Sequence, residues 1–246
     1  LDARLADMDA EGVSKALVFP NAVLALLAHP HHELKDLCFR IYNEYIAAWQ
    51  ARAPGRIHAV GLINWWDPAG TRSGLEQLKS LGLKTFLMPL NPFTFPNGEK
   101  IDYTGKAMIP VWEEIEASGI PVTHHIGESS GVSDENNCIA TAMLPMVHSF
   151  RDMFAKYIYG GILDRHPGLR VGWFEGGINW VVSTLQDAMH IHASIKHTYN
   201  WNVKHDPEYY WRNHMYSSFM LDPLGLEMID RIGVDRVMWS TDYPHN

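Results

Sequence analysis

Cysteine is scarce. The 246 residues contain two, Cys38 and Cys138, far apart and in no CxxC pair. That excludes a disulfide framework and makes a reducing cytoplasm the expected compartment. Positive charge is also in deficit: 20 Lys and Arg against 28 Asp and Glu give a formal net charge of −8. Nucleic-acid binding draws on Lys and Arg contacts to phosphate, so that function is not expected, and no basic patch is present for an anionic membrane. No apolar run approaches the length of a membrane span, and no signal peptide is visible at Leu1. Neither a phosphate-cradling GxxxxGK loop nor a GxSxG nucleophile turn occurs.

What is present is a regular alternation. Hydrophobic residues make up 46% of the chain. Its length suits one α/β barrel domain, which typically takes about 250 residues. Short β-rich runs are predicted at Ala16–Pro20, Ile57–Asn64, Lys84–Met88, Pro121–Gly127, Arg170–Glu175, Met215–Met220 and Arg236–Thr241. Helical patterns lie between them. Leu34, Leu37, Ile41, Tyr45 and Ala48 recur at spacings of three and four, giving one apolar face, and Val147, Phe150, Phe154 and Ile158 do the same. Helix stops follow at Gly119 and at Pro167-Gly168.

This alternation implies a parallel sheet covered by helices. Seven strands fall one short of a closed barrel, and Leu1–Gly12 reads as a helix. The expectation is therefore an α/β fold: a distorted TIM-like (β/α)₈ barrel lacking its first strand and its last helix, incomplete at both ends. An open doubly wound sheet is the second option. Two long connections, Pro89–Gly105 and Glu128–Ala142, follow strands on their C-terminal side, where active sites of such folds lie.

Three strand ends carry residues suited to chemistry. In Pro121-Val-Thr-His-His-Ile-Gly127, adjacent side chains alternate between faces, so only one histidine looks inward. If that is His125, Thr123 points inward with it and His124 faces the helices. A neutral imidazole at a strand end suits zinc, manganese or iron; a satisfied core histidine is the competing reading. In Trp239-Ser-Thr-Asp-Tyr-Pro-His245, Asp242 ends a strand and can bind a metal and accept a proton, or serve as a simple Asx-turn residue. In Trp173-Phe-Glu-Gly-Gly-Ile-Asn-Trp180, Glu175 is a carboxylate among aromatics, whose desolvation raises its pKa and suits proton transfer; a helix cap or salt bridge is the alternative. Trp65, Trp66, Trp173 and His245 are candidate substrate-pocket residues, with Phe93 and Phe95 nearby on loops. His190 and His192 lie two apart on a predicted helix and diverge by about 200°, so they form no metal pair. The His29–His32 cluster reads as a loop flanking a helix.

Taken together, Arg4–Pro20, Gly119–Glu128, Gly161–Trp180 and Asp235–His245 resemble the amidohydrolase superfamily, closest to the branch of aminocarboxymuconate-semialdehyde decarboxylase and related metal-dependent hydrolases. The resemblance implies a distorted TIM-like barrel with one divalent metal. It implies ligands from an HxH pair on the first strand, a histidine on the fifth and an aspartate on the eighth. His125 and Asp242 match the last two; the HxH pair is expected upstream of Leu1. Decarboxylases of the branch carry a proton-handling histidine on the sixth strand, where this chain has Glu175.

The resulting expectation is hydrolysis of a small organic molecule by metal-activated water, with zinc as the first choice and manganese or iron as alternatives. Asp242 and Glu175 would be catalytic; His125 and Asp242 would hold the metal. Non-oxidative decarboxylation of an aromatic or unsaturated acid is the second reading, and a catalytically silent ligand-binding barrel the third. A homo-oligomer is an open possibility.

Overall fold

The computed structural model describes residues 1–128, 138–199 and 203–245. The elements run α1 (Asp2–Ala10), β1 (Ala16–Val18), α2 (His32–Ala51), β2 (Ile57–Leu62), α3 (Pro68–Ser80), β3 (Thr85–Leu87), α4 (Ile109–Ser118) and β4 (Val122–His125). They continue with α5 (Ile139–Met143), α6 (His148–Ile158), α7 (Ile162–Arg165), β5 (Val171–Phe174), α8 (Asn179–Ile195), α9 (Pro207–His214), β6 (Met215–Phe219), α10 (Pro223–Glu227), α11 (Ile229–Ile232) and β7 (Val237–Trp239). All seven predicted strands are present, each shorter than its predicted span. Most of the connection 128–142 falls on residues 129–137, outside the described residues.

The strands form one parallel sheet in the order β1-β2-β3-β4-β5-β6-β7. Sequential order without reversal is that of a barrel wall, not of a doubly wound sheet with its switch point. The sheet curls until its two ends meet through side chains. The Tyr243 hydroxyl donates to Asp7 (2.7 Å), the Arg4 guanidinium lies over the Tyr243 ring (5.0 Å), and Asn21 reaches His245 (3.0 Å). The middle strands β3, β4 and β5 are almost wholly buried, as expected of parallel strands covered on both faces.

Local signals set the helix ends. Asp67 caps α3 by accepting from Gly70 N–H (2.7 Å), with Pro68 at the first helical position. Asp206 does the same for α9 through Tyr209 N–H (2.8 Å). Gly119 closes α4 in the left-handed region, at φ 68°.

Helix α6 docks as its pattern implies, with Phe150, Phe154 and Ile158 buried. Helix α2 docks the other way round. Its sheet-facing side carries Lys35, Phe39, Asn43, Ile46 and Ala47, while Leu34, Leu37, Ile41 and Tyr45 stand in solvent. Two polar residues hold this orientation. The Asn43 carboxamide donates to Leu62 C=O (2.8 Å) and accepts from Leu62 N–H (2.8 Å), locking α2 to β2. The Lys35 ammonium lies over Trp66 (4.2 Å) and Trp65 (4.9 Å) and donates to Leu27 C=O (3.3 Å). Burial lowers its pKa to about 8.

Candidate active site

The histidine pair on β4 separates by face. His124 is fully buried on the helix side, where its ring nitrogens meet Met88 C=O (2.7 Å) and the Tyr157 hydroxyl (2.8 Å). Desolvation brings its pKa down to about 4, so it stays neutral. It is a satisfied core histidine. His125 takes the opposite face. Burial lowers its pKa too, opposed by the hydrogen bond to Ile126. Its Nδ1 lies 2.7 Å from Ile126 C=O, which assigns the proton of the neutral ring to Nδ1 and leaves Nε2 as a lone pair.

Register then sorts β5. Trp173 is aligned with His124 and Phe174 with His125. Trp173 accordingly stacks on His124 (5.1 Å) and packs against Phe150 and Trp180 on the helix side. Its predicted place in a substrate pocket is thus corrected: the strand's period of two turns it away from His125. Phe174 takes that place, 4.7 Å from Phe19, which itself lies 4.8 Å from the His125 ring.

By the same alternation Glu175 would follow Trp173 to the helix side. It does not, because its backbone enters the left-handed region at φ 70°. That reversal turns its carboxylate toward His125, with Oε2 3.1 Å from Nε2. Its desolvation therefore does not come from Trp173 and Trp180. Asp242, beyond the end of β7, is also left-handed at φ 53°. Its Oδ1 lies 3.1 Å from His245 Nδ1, and His245 Nδ1 lies 3.7 Å from Glu175 Oε1. Non-glycine residues in this region carry a conformational cost and concentrate at functional sites.

Glu175, Asp242 and His245 each offer a donor atom, and all three atoms lie within 4.8 Å of one another. Burial first, then the negative charge and hydrogen bond of Asp242, push the Glu175 carboxyl up to about 7, with His245 pulling the other way. The structure thus brings together His125, Glu175, Asp242 and His245, four residues predicted from three strand ends. It does not bring Trp65 or Trp66 to them. Both are buried: Trp65 stacks on Phe39 (6.0 Å) and donates to Pro92 C=O (3.0 Å), and Trp66 meets His32 edge-on (5.0 Å). His32 also bonds Thr94 C=O (2.8 Å), so the His29–His32 cluster serves loop packing.

The donor set suits a divalent cation. His125 Nε2 and Glu175 Oε2 are both acceptors when the ring is neutral and the acid ionised, and they face each other at 3.1 Å. Two acceptors at that distance need a proton or a cation between them or beside them. One imidazole with two carboxylates, and a second imidazole at the rim, is a ligand chemistry that first-row divalent metals accept.

Three features escaped sequence reasoning. Phe19 and Phe174 flank His125, and register parity with His125 would have found Phe174. Asn21 reaches His245 from the opposite end of the sheet, and no local signal marks it. Glu128 lies half-buried beyond β4, where its carboxylate accepts from Leu90 N–H (2.7 Å) and Asn91 N–H (3.1 Å). It lines a cavity of about 400 Å³; a larger one of about 700 Å³ is lined by Lys35, Asn91, Phe93 and Tyr103.

A family model described as Amidohydrolase matches residues 1–246. A gamma-resorcylate decarboxylase of Polaromonas sp. is 24% identical over 261 residues, covering 99% of this chain and 76% of that protein. The crystal structure of 2,6-dihydroxybenzoate decarboxylase from Rhizobium superposes with a TM-score of 0.80 at 21% identity, covering 99% of this chain and 77% of that one. A dihydroxybenzoic acid decarboxylase from Polaromonas, solved with manganese and the inhibitor 2-nitroresorcinol, gives a TM-score of 0.79 at 22% identity, covering 99% and 75%. No helix among the described residues is long and apolar enough to cross a membrane.

Proposed function

Because the chain belongs to the amidohydrolase family, we propose that it is a metal-dependent carboxy-lyase that removes CO₂ from a hydroxylated aromatic acid. The observation that carries this reading is the 3.1 Å contact between His125 Nε2 and Glu175 Oε2, set beside Asp242 and flanked by Phe19 and Phe174. Relatives matched over nearly the whole chain support decarboxylation over hydrolysis, which the sequence alone had favoured.

His125 and Asp242 would hold the metal. Manganese replaces zinc as the first choice, because a structural relative was solved with manganese. A bound divalent cation would supply positive charge against the substrate's carboxylate and phenolic oxygens.

The chain's own residues do the rest. Phe19 and Phe174 offer aromatic faces for a planar ring beside His125. Glu175, with its carboxyl pushed up to about 7, holds a proton near neutral pH. As the bond from ring to carboxylate breaks, its electron pair stays on the ring carbon, and Glu175 delivers its proton there. CO₂ leaves, and Glu175 is reprotonated from water. His245 steadies Asp242 through their 3.1 Å contact.

The test is to incubate the purified, Mn(II)-loaded protein with 2,6-dihydroxybenzoate and related hydroxybenzoates, measuring CO₂ and the decarboxylated phenol. Lactones and amides are assayed in parallel. Release of CO₂ with stoichiometric phenol is expected. Hydrolysis of a lactone or amide with no CO₂ from any hydroxybenzoate would restore the hydrolase reading. Failure to take up any divalent metal would favour the silent binding barrel.

A further inference from the structure

Lys35 is a buried cation, 2% exposed, and among the described residues no carboxylate pairs with it. Its ammonium meets one oxygen, Leu27 C=O at 3.3 Å, and the faces of Trp66 and Trp65. An ammonium has three donors, and a buried charge is ordinarily paired. The acid one turn along α2, Asp36, is taken by Arg40 (2.9 Å). Lys35 is thus short of an anion.

The same side chain lines the cavity of about 700 Å³. That volume takes a small organic molecule. Phe93, Ile101 and Tyr103 give the cavity apolar walls; Lys100 and Lys156 add positive charge, and Asp102 is the one acid among the lining residues. Asp102 turns its Oδ1 to the N–H and hydroxyl of Thr104 (2.9 and 2.8 Å), and Lys156 is tied to Asp152 (2.6 Å). The loop that carries Phe93 and Tyr103 is held by its own bonds. Ile101 N–H donates to Phe93 C=O (3.0 Å), Phe95 N–H to Glu99 C=O (2.8 Å), and the Tyr103 hydroxyl to Pro89 C=O (2.8 Å). Within it Phe93 sits in the left-handed region at φ 60°. Non-glycine residues there are costly and gather at functional sites. Glu175 and Asp242 share that conformation and belong to the candidate active site. Phe93 belongs elsewhere: none of His125, Glu175, Asp242 and His245 lines its cavity.

We propose that this cavity is a second binding site, for a small aromatic carboxylate whose charged group pairs with Lys35 and whose ring lies against Phe93 and Tyr103. Burial lowers the Lys35 pKa only to about 8, so the ammonium is still charged at neutral pH. The buried ammonium selects for negative charge, and the aromatic walls select for a flat apolar body. An inorganic anion meets only the first demand. The inference does not depend on which reaction the candidate active site performs.

Benzoate is the probe, titrated calorimetrically into the Mn(II)-loaded full chain at pH 7. The wild type should bind it with a dissociation constant of about 1 mM or tighter. Asp242→Asn, which disables the candidate active site, should keep that binding event. Lys35→Met should weaken it at least about tenfold. Methionine fills similar space and leaves no unpaired charge, and Asn43 still locks α2 to β2, so the variant should unfold in urea no earlier than the wild type. Phe93→Gly is the second variant. Glycine adopts φ 60° without strain, so the fold is kept while the ring is lost, and benzoate should weaken about fivefold. Benzamide, of the same shape without the charge, should bind at least about tenfold more weakly than benzoate. Unchanged benzoate affinity in Lys35→Met overturns the proposal; should that variant fail to fold, unchanged affinity in Phe93→Gly overturns it. Displacement of benzoate by an equal concentration of inorganic phosphate also overturns it, since charge alone would then be read. So does loss of the event in Asp242→Asn, which would put benzoate at the candidate active site and leave the proposed reaction standing.

Discussion

Replacing Glu128 with glutamine should change how stability depends on pH. The carboxylate is half-buried beyond β4 and accepts N–H groups from Leu90 and Asn91, pinning the start of the long loop after β3 to the end of β4. Burial pushes its pKa from an ordinary 4.5 up to about 8, against those two N–H donors, which favour the ionised form. The folded protein therefore keeps this proton between pH 4.5 and about 8, whereas the unfolded chain has released it. Stability is full below pH 4.5 and falls as pH rises toward 8, since the native state binds more protons there. The limiting slope for one proton is about a tenfold change in the folding constant per pH unit, and the whole window amounts to about 5 kcal/mol. Glu128→Gln keeps a carbonyl oxygen for Leu90 N–H and cannot ionise. Urea unfolding at pH 4.5, 5.5, 6.5 and 7.5, at fixed ionic strength, should give near-equal stabilities at the lowest pH. At each step upward the variant should gain on the wild type by about 1 kcal/mol. Parallel profiles would refute the reasoning. A wild type that gains on the variant with rising pH would show that the N–H donors outweigh burial.

Further outcomes follow from the site and its supports. Asp242→Asn should lower CO₂ release by at least about a hundredfold and reduce bound manganese, read by elemental analysis. Glu175→Gln should cost a similar factor in kcat while leaving close to one manganese per chain, which separates the proton carrier from the metal ligands. Treatment with a chelator should abolish turnover, and Mn(II) should restore it more fully than Zn(II). Asp222→Ala removes one carboxylate that accepts from Ile178, Asn179 and Gly225 N–H groups (2.6, 2.8 and 2.8 Å) and so holds the starts of α8 and α10. A loss of about 2 kcal/mol or more in urea unfolding is expected, with no shift in metal content.

The strands and the barrel-like order were legible because alternation of β-rich and helical runs is a local property of the chain. The direction a helix faces is not. The apolar periodicity of α2 located one face correctly but carried no information on whether the sheet or the solvent would receive it. The decision was made by Asn43 bonding Leu62 of β2, 19 residues on, and by Lys35 resting on Trp65 and Trp66, about 30 residues on, partners brought together only by the fold. Those two polar residues look like surface residues in the sequence. The same contacts drew Trp65 and Trp66 into packing, away from His125.

Parity explains the site in the same terms. It assigned His124 and His125 to opposite faces, and extended across the ladder it assigns Trp173 and Phe174 as well. It fails at Glu175, because a period of two holds only while the backbone stays extended. Among the described residues, three that are not glycine enter the left-handed region: Phe93, Glu175 and Asp242. Two of the three supply the carboxylates of the candidate site. At a strand end a side chain is aimed either by the pleat or by a costly turn of the backbone, and the second route leaves no trace in the hydrophobic pattern. A carboxylate predicted to face the helices by parity, yet followed by two glycines that relax the chain behind it, is the combination that marks Glu175, and it gives a physical reason to look for function where the simple pattern breaks.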